Sequence, residues 1–374
     1  MSVQSQLTPS APCSANGPLK GLRIVEFEAI GPVPFAGMLL SDMGADIIRV
    51  DRPGTVVGET DFLSRGRLRV EADLKDPVSA GAVVGLCDLA DVVIEGFRPG
   101  VMERLGFGPD ILCDRNPRLV YGRMTGWGQH GPLAAAAGHD INYIALSGAL
   151  AAIGESNGRP VAPLNLVGDY GGGAMYLVMG VLAALLEVRN SGKGQVVDAA
   201  MCDGATSLMS LFYSLHAQGK WLAEREANII DGAAPFYGAY ECADGKYVAV
   251  GALESKFYAI LLKGLQLSGI DVDSQNDKSN WPALKIKFAK VFKTKSQEEW
   301  VKVFQGLDAC VAPILSMQDA PSHPHFSARE TFVSVEGVVQ PGPAPRFSRT
   351  ASQIQFNAST VCNKLCDITE RWSR

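Results

Sequence analysis

The sequence predicts an α/β protein, a larger parallel-sheet domain followed by a smaller α+β domain. Three observations carry this. Short apolar runs alternate with helical stretches through the first half, the pattern of strands joined by crossover helices. Near residue 230 the pattern changes to hairpin chemistry, with Ala243-Asp244-Gly245 between two strand-like runs. The chain has 374 residues, long for one simple core and suited to two domains.

Residues 22–27 form a short apolar run fit for a buried strand, and Gly31 and Pro32 break it. Residues 35–43 then read as a helix and 46–50 as a second strand. The short-strand signal recurs at 91–95 and 119–121. An apolar helix is expected over 174–186, and a long helical stretch over 199–221 links the two domains. In the second domain, 236–242 and 247–250 are the hairpin strands. A helix over 255–262 follows, with Gly264 as its stop. Ser296 and Glu299 form a capping-box pattern ahead of a helix carrying Trp300 and Phe304. Residues 310–315 read as one more strand, and Pro341, Pro343 and Pro345 keep 340–348 extended. The expected organisation is a polar tail over 1–17, a Rossmann-like large domain over 18–200 completed by 330–374, a linker helix over 201–229 and the small domain over 230–320.

Hydrophobic residues make up 47% and charged residues 20%, ordinary for a globular chain. A net charge of -5 gives no basic surplus for nucleic acid. The eight cysteines include no CxxC pair, and Cys362 and Cys366 lack the second pair that a zinc site needs. No metal is expected, and free thiols suit a reducing cytoplasm. Residues 1–17 lack the apolar core of a signal peptide. The run 174–186 stops at Glu187, too short for a membrane span. The final residues Arg371-Trp372-Ser373-Arg374 are not a peroxisomal address. A cytoplasmic location is therefore expected.

The turn after the first strand, Gly31-Pro32-Val33-Pro34, lacks the flexible glycines and free N–H groups of a dinucleotide fingerprint. Arg52, after the second strand, is either a phosphate ligand or a surface arginine in an ion pair. The basic cluster Arg65-Gly66-Arg67-Leu68-Arg69 reads equally as a converging phosphate site and as a solvated loop. Of five histidines only His139 has a site-like setting, at the start of an expected helix whose dipole favours the neutral imidazole. A purely structural histidine is the alternative. Asp169 stands among four glycines, which let a substrate approach or form a nest for negative charge, unless Asp169 only caps the next helix. Glu254 opens a helix, where a dipole partner is the plain reading. Met175, Met179, Met201 and Met209 are core residues or the lining of an adaptable pocket.

Four ordered motifs carry a resemblance. They are Thr125-Gly126-Trp127-Gly128-Gln129, Gly138-His139-Asp140-Ile141-Asn142-Tyr143, Asn165-Leu166-Val167-Gly168-Asp169-Tyr170-Gly171-Gly172-Gly173 and Gly194-Gln195-Val196-Val197-Asp198-Ala199-Ala200-Met201. Over residues 17–350 the chain resembles the alpha-methylacyl-CoA racemases of the family III CoA-transferase superfamily. The resemblance implies an isomerase that interconverts the (2R) and (2S) forms of a 2-methylacyl-CoA by two-base proton transfer through an enolate. It implies His139 and Asp169 as the bases, with Glu254 supporting His139. Arg52, then Ala72, Asp73, Leu74 and Lys75, then Arg98 and Arg104 would hold coenzyme A. Gly138, Asp140, Ile141, Asn142 and Tyr143 would meet the substrate. Backbone N–H groups near Asp169 or at the helix start near His139 are the candidate donors to the enolate oxygen. Coenzyme A is part of the substrate, and no separate cofactor is expected. An interlocked homodimer is implied, with Glu254 reaching His139 across it. The alternative within the superfamily is a CoA transferase in which Asp169 is the nucleophile of a mixed anhydride. A third reading is a CoA-binding protein without catalysis.

Overall fold

The computed structural model describes residues 16–58, 60–355 and 365–373. In chain order the elements begin β1 (Arg23–Phe27), α1 (Pro32–Asp42), β2 (Asp46–Asp51), β3 (Arg67–Glu71), α2 (Pro77–Asp88) and β4 (Val92–Glu95). They continue through α3 (Val101–Arg104), α4 (Pro109–Arg115), β5 (Val120–Thr125), α5 (Asp140–Leu146) and α6 (Ala149–Ala152). A π-helix, Leu166–Ala174, runs into α7 (Met175–Ser191), followed by β6 (Val196–Ala200), α8 (Met201–Leu208) and α9 (Ser210–Ala217). Then come β7 (Tyr237–Glu241), β8 (Tyr247–Gly251), α10 (Ser255–Gly264), α11 (Trp281–Phe292), α12 (Gln297–Phe304) and β9 (Val311–Ile314). The last are α13 (Pro324–Ala328), β10 (Phe332–Val335), β11 (Val338–Pro341) and α14 (Leu365–Ser373).

The chain divides into two compact units. The first takes the chain as far as Ile144, then Asn165–Leu208, then Pro324 onward. Its sheet has the order β3-β2-β1-β4-β5-β6, all neighbours parallel. Alternate strand residues face opposite ways. Ile24, Ile47, Ile94 and Val120 join one apolar cluster with α1 and α7. Val25, Ile48, Val93 and Tyr121 join another with α2 and α4. Burial on both faces explains why these strands read as unbroken apolar runs. The C-terminal segment completes this unit: the Arg65 guanidinium donates to Gln340 Oε1 at 2.7 Å and to the Pro341 carbonyl at 2.8 Å.

The second unit comprises Ala145–Leu164 and Met209–His323. Its antiparallel sheet β7-β8-β9 lies in one core with the aromatic residues Trp281, Phe288, Phe292 and Trp300. Residues 145–164, expected inside the large domain, fall here, and Arg225 is one of the residues that tie them to it. Its guanidinium donates to the carbonyls of Ala151, Glu155 and Gly158 at 3.2, 3.2 and 2.6 Å. The Ser296–Glu299 capping box is present on both sides. Gly264 is the last residue of α10 rather than the residue past it.

Several expectations are corrected. The basic cluster at 65–69 is neither a phosphate site nor a solvated loop, because it leads into β3. Arg65 pairs with Asp42 at 2.6 Å, Arg67 with Glu26 at 3.1 Å and Arg69 with Asp51 at 2.5 Å, and all three arginines are buried. Burial raises Glu26 and lowers Arg67, so desolvation outweighs the attraction within that pair. The stretch 199–221 begins as the end of β6 and then breaks into α8 and α9. The apolar helix expected at 174–186 is part of a 26-residue helical stretch, Leu166–Ser191, apolar and long enough to cross a bilayer. Here it is a core helix: Leu177, Val178, Val181, Ala184 and Val188 are buried in the cluster on one sheet face.

Candidate active site at the sheet switch point

The strand order reverses between β1 and β4, which are neighbours although α1, β2, β3 and α2 separate them in sequence. At such a point the connections leave to opposite faces and open a crevice at the carboxyl ends of the strands. A cavity of about 280 Å³ occupies this crevice. Ile30–Val33 line it after β1, Gly96–Pro99 after β4, and Met124–Trp127 around the end of β5. Gly138, His139, Tyr143, Asp169 and Met201 complete the lining together with alanines of the 134–137 run.

His139 immediately precedes α5 and is exposed. Its N–H donates to Asn142 Oδ1 at 3.1 Å, and its carbonyl accepts from the Asn142 N–H at 2.8 Å, which closes the first turn of α5 around it. Tyr143, one turn on, stacks edge-on against Trp127 with ring centroids 4.8 Å apart. Its hydroxyl donates to the Gly138 carbonyl at 2.5 Å, fastening the residue before His139. A side chain at Gly126 would collide with the Tyr143 ring, so the two glycine motifs flanking this ring leave room for it.

Asp169 sits in the middle of the π-helix. Such wide turns are rare and frequent at functional sites, and here Gly168, Gly172 and Gly173 let neighbours approach the backbone. A Cβ at Gly168 would lie 2.6 Å from Asp140 Oδ2, one at Gly172 2.6 Å from the Ala205 nitrogen, and one at Gly173 2.8 Å from Met201 Cγ. These glycines therefore serve close packing rather than a nest for the substrate. The N–H groups of Gly168 and Asp169 both donate to Asp140 Oδ2 at 2.7 Å. They are engaged, which removes them as donors to an enolate oxygen. Asp169 Oδ2 accepts from Asn165 Nδ2 at 3.2 Å. Opposite it, a Cβ on Gly31 (φ 70°) would come within 3.2 Å of the same oxygen.

Burial pushes the Asp169 carboxyl above the usual carboxylate range, and the Asp140 charge adds to this. The Asn165 hydrogen bond and the charge of His139 pull the other way. The result is a carboxyl inclined to hold its proton beside an imidazole in one small cavity. Such a pair can deliver and accept protons at a substrate carbon.

The other expected residues divide. Arg52 follows β2, is exposed, and donates its backbone N–H to Glu28 Oε2 at 2.8 Å. Ala72, Asp73, Leu74 and Lys75 form the turn between β3 and α2. Arg98 lines the cavity, and Arg104 closes α3 with its guanidinium on the Gly100 carbonyl at 3.0 Å. All of them follow the carboxyl ends of parallel strands, the edge where open α/β sheets take ligands. Gly138 and Tyr143 line the cavity, whereas Asp140, Ile141 and Asn142 do not. Asp140 is buried facing the backbone at 168–169, Ile141 is exposed, and Asn142 caps the turn at His139. Glu254 is the exposed N-cap residue of α10, in the second unit. Gly31 and Trp127 also line the cavity, and Asn165 meets Asp169. Their signals in the sequence are the Gly-Pro break after β1, the aromatic residue of the Thr125–Gln129 motif and an amide four residues before Asp169.

Comparison with known proteins adds to this geometry. The sequence model described as CoA-transferase family III matches residues 19–361. The chain belongs to CoA-transferase family III. Among relatives of this family III chain, a mouse (Mus musculus) protein named alpha-methylacyl-CoA racemase is 46% identical, with 89% of this chain and 87% of that protein covered. A human protein of the same name is 44% identical, with 90% and 88% covered. The crystal structure of a CAIB/BAIF family protein from Brucella suis superposes with a TM-score of 0.81 at 25% identity, covering 96% of this chain and 100% of that one.

Proposed function

We propose that this family III chain is an isomerase that interconverts the (2R) and (2S) epimers of 2-methylacyl-CoA thioesters. One observation carries the reading: an imidazole and a carboxyl held toward its protonated form line the same small cavity. The identity to proteins named alpha-methylacyl-CoA racemase supports it. A carbon beside a thioester is weakly acidic, and removing its proton places charge on the carbonyl oxygen as an enolate. Neutral His139 takes the proton from one epimer while protonated Asp169 delivers one to the other face, and the roles reverse for the opposite epimer. Each such step contributes about 10²–10⁴-fold. The remaining donors to the enolate oxygen are backbone N–H groups at the start of α5. Side chains perform both proton transfers, so the reaction needs no separate cofactor, and coenzyme A enters as part of the substrate.

The CoA moiety lies along the carboxyl edge of the sheet, against Arg52, the 72–75 turn, Arg98 and Arg104. The working unit is an interlocked homodimer in which Glu254 of one protomer orients His139 of its partner. The five free thiols among the described residues suit a reducing compartment, the cytoplasm. The test is exchange of the alpha proton with deuterated water. Wild-type protein is expected to exchange both epimers, and His139→Ala to lose exchange of at least one. Full exchange of both epimers by that variant refutes the assignment of His139.

Family membership favours a second reading, in which ionised Asp169 attacks the thioester and CoA passes to another acid. Incubation with an acyl-CoA and a free carboxylate separates the two. Transfer of CoA supports the second reading, and loss of optical activity with CoA in place supports the first.

A further inference from the structure

We propose that Glu95 and Arg123 are positioning residues for coenzyme A, which hold the segment 96–104 so that Arg98 and Arg104 face the phosphates. The proposal rests on the reading that these two arginines meet CoA.

Glu95 is the last residue of β4 and is fully buried. Its partner across the β4–β5 register is Arg123. One carboxylate oxygen, Oε1, accepts from Arg123 Nε at 3.1 Å. The other, Oε2, accepts from the backbone N–H of Phe97 at 2.6 Å, two residues into the segment. Arg123 continues the chain of contacts. Its Nη1 lies 2.8 Å from Glu103 Oε1, on α3. The segment is thus tied near its start by Glu95 and near its end by Glu103, and both ties meet at one guanidinium. Between them stand Arg98, lining the cavity, and Gly100, in the left-handed conformation at the N-cap of α3. Arg104, next to Glu103, rests on the Gly100 carbonyl.

Net stability does not explain these charges. Burying a carboxylate is costly even beside an arginine, and an apolar pair of similar volume is often as stable. The cost is visible at Glu95: burial pushes its carboxyl up to about 7 although Phe97 and Arg123 both favour the charged form. What the pair provides that an apolar pair does not is direction. A planar fork joined to two carboxylates fixes where the intervening loop runs.

The experiment compares wild type with three variants. Glu95→Gln/Arg123→Met removes both buried charges together and leaves only the partly exposed Glu103 carboxylate without its arginine. Glu103→Gln cuts only the outer tie, at a side chain 41% exposed, and does not threaten folding. Arg123→Lys keeps the charge without the fork. Binding of CoA is measured by titration calorimetry under reducing conditions, and kcat and KM are measured for a 2-methylacyl-CoA and for the matching pantetheine thioester, which lacks the nucleotide. The double variant is expected to keep its circular dichroism and to lose CoA affinity about tenfold or more, with Arg123→Lys intermediate and Glu103→Gln losing a few-fold. Values of kcat and all constants for the pantetheine thioester should stay within about twofold of wild type. Unchanged CoA affinity in a folded double variant overturns the proposal, as does equal weakening of CoA and pantetheine substrates. If the double variant does not fold, Glu103→Gln decides by the same criteria. Wild-type protein that binds CoA but racemises nothing overturns the proposed function and leaves this inference to the binding data.

Discussion

In the proposed reaction Asp169 acts as an acid only while it carries a proton; burial is the main influence favouring the protonated form, and Asp140 adds to it. Asp140 is 6% exposed, and its Oδ2 takes two backbone N–H groups from the turn that carries Asp169. The same carboxylate, held close by, raises the proton affinity of Asp169. Asp140→Asn keeps an oxygen acceptor but removes the charge. Without it, Asp169 holds its proton less tightly and gives it up at lower pH. In the direction where Asp169 is the acid, the rate falls as pH rises and Asp169 deprotonates, so the variant should lose activity at a lower pH than wild type. The expected sign is a shift of the alkaline limb to lower pH, with the acid limb unchanged. The pH–rate profile of alpha-proton exchange for each epimer checks this. An alkaline limb unmoved in both directions would remove Asp140 from the account. Asp140 also shows how residue-level reading falls short. The resemblance implied a substrate contact for Asp140, whereas its carboxylate is buried and turned to the backbone of a segment 28 residues away.

At the scale of elements, the tightest junction is between the π-helix and α8. A Cβ on Gly204 would drive into the Gly172 carbonyl, and one on Gly172 would lie 2.6 Å from the Ala205 nitrogen. Backbone sits against backbone there, and neither helix can yield without moving Asp169. Gly204→Ala should therefore destabilise the protein by about 3 kcal/mol and lower activity with it. Gly85→Ala, in α2 with open space around the site of the added Cβ, should be neutral or stabilise by up to about 1 kcal/mol. Urea unfolding of both variants measures the contrast. The glycines were visible in the sequence, but their purpose was not. A loop nest and a close helix crossing demand the same residue type, and only the position of α8 separates them. β3 was hidden for a related reason: Arg67 and Arg69 look like a solvated cluster until they are seen paired with Glu26 on β1 and Asp51 on β2.

For the whole molecule, the decisive question is where Glu254 acts. It belongs to the second unit, whereas His139 and Asp169 belong to the first. If the protein is an interlocked dimer with Glu254 supplied by the partner, two inactive variants can repair each other. Co-expressed His139→Ala and Glu254→Ala chains should form mixed dimers carrying one intact site and one doubly defective site. Random pairing then restores about a quarter of wild-type activity, although each variant alone is inactive. No restoration in purified mixed dimers would place Glu254 in the same protomer as its His139 or remove its role. Light scattering should give a mass of twice 39.8 kDa.

The fold class, the crossover pattern of the first half, the hairpin and the capping box at Ser296 were legible in the chain itself. Each rests on local chemistry, on apolar periodicity or turn residues, whereas His139 and Asp169 were named as bases by the resemblance of the four motifs and not by their local setting alone. Tertiary structure alone decided which charges are buried in pairs, that β6 closes the sheet, that residues 145–164 belong to the second unit, and which way the Asp140 carboxylate turns. These depend on contacts between segments far apart in sequence. A residue's own neighbours in the chain carry no record of the strand or helix that will cover it.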